Sequence, residues 1–181
     1  PNLVAGAVAP GAPRQADTDI EPLLYGLSTP AGTVLPPDPG TVAPPPDPTV
    51  VTTILDSTAF LYTGPNPIQT GVAPGTLKPQ FAAVLRGTVH TRDGAALSGV
   101  TLTLLARPEF GQTKSRADGA FDLAVNGGGR LTVDYRKTGF LPVQRQVSVP
   151  WQDYALVPDV VMIPVDAQVT SIALNAPAMQ V

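Results

Sequence analysis

Apolar and polar residues alternate through most of the second half of the chain. Val100, Leu102 and Leu104 share a face of Gly99–Arg107. Phe121, Leu123 and Val125 do so in Ala120–Val125, and Leu131, Val133 and Tyr135 in Arg130–Lys137. A period of two belongs to a half-buried strand, because successive side chains leave the pleat on opposite sides. Ala83–Thr91 alternates likewise, and Gly111–Arg116 is polar enough for an edge strand. Val143–Pro150 and Asp159–Val165 bring the set to seven. Arg92–Gly94, Ala117–Gly119 and Asn126–Gly129 supply turn chemistry between strands, at the spacing of about 8–12 residues that marks sandwiches. No window holds helical periodicity. The predicted fold class is therefore all-β: a seven-stranded antiparallel β-sandwich over residues 81–165. Val89, Val100, Leu102, Leu104, Phe121, Leu123, Leu131, Val133 and Tyr135 are expected in its core.

The first half reads differently. Residues 1–50 hold 12 of the 22 prolines, in runs such as Leu35–Gly40 and Ala43–Pro48. Proline fixes φ and removes a donor, so residues 1–48 are predicted as an extended, Pro-rich lead in polyproline II and turns. Leu23, Leu24, Tyr25 and Leu27 are its apolar contact points, expected to drape on a neighbouring surface. Residues 49–80 follow as a strand-forming segment and turn-rich connector, because Thr49–Gly64 is rich in Val, Ile, Thr, Phe and Tyr. Residues 166–181 alternate at Val169, Ser171 and Ala173 and read as an extended tail toward a following domain. The chain starts at Pro1 without Met and is expected to be an internal piece of something longer.

Composition narrows the function. Proline and glycine make up 39 of 181 residues, and charged residues only 14 %, against about 25 % in ordinary domains. A net charge of −3 gives no basic footprint for nucleic acid, and no apolar run is long enough to insert in a membrane. Residues 1–80 carry six acids and two bases, while residues 81–181 carry eight acids and nine bases. Without cysteine there is neither a disulfide nor a thiolate metal site.

Gly87-x-Val89, Asp93-Gly94, Leu97-x-Gly99-Val100, Thr113, Asp118-Gly119-x-Phe121-x-Leu123, Leu131-x-Val133-x-Tyr135 and Gly139-Phe140 resemble the carboxypeptidase-regulatory-like pattern. That resemblance implies a transthyretin-like sandwich. Longer stretches, from Phe60 to Pro79, Ala83 to Gly129 and Gly139 to Pro164, look like the region before the shell in RHS/YD-repeat, teneurin-like proteins. The resemblance implies an extracellular or cell-surface module, a structural plug or adaptor set against a YD-repeat shell. No YD-repeat unit occurs in this chain.

Candidate chemistry is sparse. His90 is the sole histidine, read as a surface or loop-packing residue rather than a base. Asp93 and Asp118 precede glycines in turns, where a carboxylate bonds the local backbone. Asp122 and Asp134 alternate with core residues and are expected to face solvent. Asn126–Arg130 lacks the Lys-Ser/Thr and the helix of a phosphate loop. Ser115 and Ser148 have no histidine companion. No enzyme, cofactor or metal is predicted. The informative side chains are Phe110, Trp151 and Tyr154, each read either as a cap on the sandwich or as an anchor on a protein partner. The partner would be the protein's own YD shell or an identical subunit. Two alternative functions are a filament or adhesin subunit, whose Val50–Tyr62 strand completes a neighbour's sheet, and an accessory domain of a secreted peptidase or outer-membrane receptor.

Overall fold

The computed structural model describes residues 34–166 and 168. Leu23, Leu24, Tyr25 and Leu27, the contact points expected in the lead, lie outside the described residues, as do Val169, Ser171 and Ala173 of the tail.

Two sheets build the fold. The first is centred on β1 (Ala82–Thr91), which pairs antiparallel with β4 (Ala120–Asn126). The second runs β3-β2-β5-β6, with β2 at Thr101–Leu104, β3 at Gln112–Lys114, β5 at Gly129–Arg136 and β6 at Val143–Val149. β3 is an edge strand, as its polarity predicts. Between the sheets lie Leu85, Val89, Phe121, Leu123 and Val125 from one side and Leu102, Leu104, Val133 and Tyr135 from the other, all buried. Phe121 meets Tyr135 edge to face, with ring centroids 5.8 Å apart. The expected core is thus present, and only Leu131 is half-buried instead of buried.

Pairing corrects the antiparallel expectation. β7 (Tyr154–Leu156) and β8 (Val160–Met162) both run parallel to β1, opposite Val84–Arg86 and Val89–Thr91 respectively. They form two halves of one edge, so eight strands occupy seven lines. Three residues, Val157–Asp159, stand opposite two of β1, and this bulge contains Pro158, which cannot donate to a ladder. Gly87 faces it: an added Cβ would lie 3.0 Å from both the Phe121 ring and the Val157 carbonyl. The sequence around Trp151 and Tyr154 reads as a loop because its prolines hide the three-residue β7.

The strand expected within Val50–Tyr62 is helical. Thr53 caps α2 (Ile54–Thr58), accepting from the Asp56 amide at 3.2 Å and donating to Asp56 Oδ2 at 2.7 Å. A 3-10 turn, Ala59–Leu61, continues it. Thr-x-x-Asp is a capping signal that outweighs the β-propensity of the flanking residues. Packing completes the choice, since α2 lies on β1 and the following turn on β4. These pieces cover the outer face of the first sheet, where Ala82, Val84 and Ala124 are buried. A shorter helical turn, α1 (Pro39–Val42), interrupts the expected polyproline lead. Asp38 accepts from the Gly40 amide at 2.8 Å, and Pro39 takes the first helical position, where its missing N–H costs nothing.

Asp122 and Asp134 sit at outward positions as the alternation predicts, yet they are buried instead of solvated. Arg86 Nε reaches Asp122 Oδ1 at 2.6 Å and Arg116 Nη1 reaches Oδ2 at 2.5 Å. Asp134 is held by Arg136 Nε at 2.5 Å and Gln144 Nε2 at 3.1 Å. Guanidinium groups of Arg86, Arg116 and Arg136 pair with these carboxylates, partners no alternation pattern reveals.

Candidate docking flank

Stacking places β3 against β4 at one flank of the sandwich and β6 beside β7 at the other. The two flanks differ in how their edges end.

The β3/β4 flank is sealed by residues 61–78. Buried Gln69 acts there as a piece of strand: its Nε2 donates to the Phe110 carbonyl at 2.7 Å and the Ala124 carbonyl at 2.9 Å, and its Oε1 accepts from the Ala124 amide at 2.6 Å. Thr70 and Gln112 exchange backbone bonds of 2.8 Å, extending the sheet past β3. Thr113 Oγ1 donates to the Ile68 carbonyl, and Asn126 Nδ2 to the Thr76 carbonyl. Phe110 belongs to this seal. It is 2 % exposed within the core, which removes it as a partner anchor and leaves the capping reading. Gln69 gave no sequence signal, because a glutamine in a Pro-Gly-rich connector looks like any polar loop residue.

The β6/β7 flank is open. Trp151 is 61 % exposed, Tyr154 41 % and Leu156 77 %, while Leu141, Val161 and Ile163 are each about half exposed. The aromatic pair is held in place from behind. Phe81 and Trp151 tilt together at 5.9 Å between centroids. The indole rests directly on Gly128, where a Cβ would sit 1.6 Å from its Nε1. Gly128 has a φ of 94° and donates its amide to the Val149 carbonyl, so the Asn126–Gly129 turn is a fitted seat for Trp151. Tyr154 stacks under the Arg86 guanidinium at 5.1 Å, and Arg86 is in turn pinned by buried Asp122. Trp151 and Tyr154, two of the candidates from the sequence, are both exposed here. The sequence did not single out Arg86, Leu156, Val161 and Ile163.

Along β6 the outward-facing residues are polar. The Thr132 carbonyl accepts from Leu105 on the β2 side, so Gln144, Gln146 and Ser148 turn their backbone groups away from β5. Arg145 stands exposed on the side of the strand that carries Val143 and Val147. An inward-set charge at an edge discourages indiscriminate strand pairing.

Several other polar side chains hold turns and strand ends. Ser115 Oγ donates to the Leu97 carbonyl and accepts from the Val100 amide. Asp118 accepts from the Ala120 amide at 2.9 Å, and the Thr91 hydroxyl holds the Asp93 carboxyl below the ordinary carboxylate range. His90 lies in β1 opposite Val161, with a buried Nδ1 that has no partner among the described residues. Among these residues no group of three His, Asp or Glu side chains could hold a metal ion, and no helix is long and apolar enough to cross a membrane.

Sequence comparisons match teneurins. The teneurin TTR-like domain model matches residues 77–162. Teneurin-3 of Mus musculus is 39 % identical over 95 residues, covering 51 % of this chain and 4 % of that protein. Teneurin-m of Drosophila melanogaster is 41 % identical over 87 residues, 48 % of this chain and 3 % of that protein. Teneurin-4 of Homo sapiens is 34 % identical over 107 residues, 59 % of this chain and 4 % of that protein. The chain thus spans a few per cent of the length of these relatives. A 3-chlorocatechol 1,2-dioxygenase from Rhodococcus opacus superposes with a TM-score of 0.42 at 12 % identity, over 54 % of this chain and 65 % of that one.

Proposed function

This chain is teneurin-like and carries a transthyretin-like domain of the teneurin type over residues 77–162, and from that premise we propose that it is a non-catalytic structural adaptor. It docks onto a neighbouring domain of its parent protein, at the cell surface or outside the cell, through the β6/β7 flank. The observation that carries this reading is the asymmetry of the flanks. One is sealed by residues 61–78, while the other presents Trp151, Tyr154 and Leu156 over a charge-pinned Arg86. Trp, Tyr and Arg clustered on a rigid base is the composition of interface hot spots. The partner expected is the protein's own YD-type shell, with the domain acting as adaptor rather than as a free-standing unit. The filament reading loses its donor strand, because residues 54–61 are helical here.

Absence of cysteine makes the test direct. Leu156→Cys should react with a maleimide quickly in the isolated chain and at least about tenfold more slowly in the intact parent protein, as expected for a contact that excludes solvent. Thr103→Cys, on the other sheet's polar face, should react at similar rates in both. Equal protection factors at the two positions would refute docking through this flank.

A further inference from the structure

We propose that a second site, independent of the open flank, binds an extended acidic peptide in a cationic groove across the outer face of the β3-β2-β5-β6 sheet. Cross-strand register builds it. Lys114 on β3 stands opposite Thr101 on β2, and Thr101 stands opposite Arg136 on β5. The three therefore form one row across the sheet, spanning about 10 Å at two inter-strand steps. Lys137 follows at the end of β5, and Phe140 and Pro142 form an apolar wall. The groove has a volume of about 580 Å³, and no acidic residue lines it.

Two of its cations are placed in advance. Arg136 donates Nε to Asp134, whose carboxylate is nearly fully buried and also accepts from Gln144. That bond occupies Nε, and among the described residues no partner takes the terminal nitrogens, so the outer edge of the guanidinium can take a carboxylate in bidentate fashion. The Lys137 ammonium donates to the Ser98 carbonyl at 2.7 Å, which fixes its position at the groove end. Counting Asp134 against Arg136, the cluster keeps two net positive charges on a chain whose net charge is −3.

The shape favours a peptide over a small ion. The groove is partly open to solvent, so a single anion would stay partly hydrated there. Alternate residues of an extended chain lie about 6.6–6.8 Å apart on one face. Lysine and arginine side chains at the two ends of the row can reach carboxylates at that spacing. The intervening side chain would lie toward Phe140 and Pro142, so the ligand class is an extended segment with acidic residues at alternate positions.

The test uses the whole 181-residue chain and a short fluorescent peptide in which glutamate alternates with valine. Saturable binding that weakens as salt rises is expected. Lys114→Gln and Lys137→Gln, singly, should each weaken it by about tenfold, Lys114→Gln without moving the melting temperature. Arg136 is left intact because its removal would strand buried Asp134. Equal affinity for a peptide with glutamine in place of glutamate, unchanged binding by both variants, or no binding would overturn the proposal. Displacement by a sulfated oligosaccharide at lower concentration than by unlabelled peptide would assign the groove to glycan chemistry and overturn it as well.

Discussion

Single residues decide how this sandwich is closed. Gln69 satisfies three backbone groups, the amide and carbonyl of Ala124 and the carbonyl of Phe110, that would otherwise be buried without partners. Gln69→Leu preserves bulk and orphans all three, so chemical denaturation should show a loss of roughly 3 kcal/mol or more. A loss below about 1 kcal/mol would mean that water replaces the amide. Tyr135 has the opposite character. Its hydroxyl is buried without a partner among the described residues, and burial pushes the phenol above its ordinary range despite the opposing field of Arg145. Tyr135→Phe should therefore be neutral or stabilising by up to about 1 kcal/mol. In the wild-type chain a folded-state value raised above the unfolded one means stability present below pH of about 10 and lost as pH rises beyond it. Urea midpoints measured across that range should fall for the wild type and fall less for Tyr135→Phe.

At the scale of elements, the α2 turn shows local chemistry and packing acting together. Five residues form too short a helix to persist alone, so its cap and its contact with β1 must both contribute. Thr53→Ala removes the cap acceptor and should cost about 1 kcal/mol, with Thr53→Ser restoring most of it. A variant with unchanged stability would show that packing of Leu55 and Leu61 alone holds the turn. The β7–β8 edge illustrates the same dependence: three-residue strands exist because β1 is long enough to pair with both on one side. Pro158 sits where the ladder breaks, and Thr88 Oγ1 donates to Asp159 across the gap.

For the whole molecule, the sequence divides the chain at about residue 80, where the Pro-Gly-rich connector gives way to alternation. The structure ties that connector into the sandwich through Leu61, Ile68, Gln69, Thr70 and Leu77, all but Thr70 buried. Limited proteolysis of the isolated chain should therefore leave a resistant core that begins near Thr53, with cuts first in the exposed stretch around Val51. A core beginning near residue 80 instead would show that the seal opens in solution. A chain starting at residue 79 should lose the β3/β4 seal and melt well below the full chain.

The strands β1 to β6 and β8, the faces of β2, β4 and β5 and the edge position of β3 follow from sequence because a period of two survives even where side chains are exchanged. Asp-Gly pairs mark turns for the equally local reason that glycine alone adopts the positive φ of Gly94 and Gly119 without strain. Trp151 and Tyr154 stood out for their chemistry alone. What lay beyond the sequence was every property that depends on a distant neighbour. The burial of Asp122 requires Arg86 and Arg116 from other segments. The helical state of Ile54–Thr58 requires the outer face of β1. The difference between a sealed flank and an open one requires the connector to reach β4 and β3, 40 to 55 residues away in the chain. Local propensity fixes which face a residue takes, and tertiary contact decides whether water reaches it.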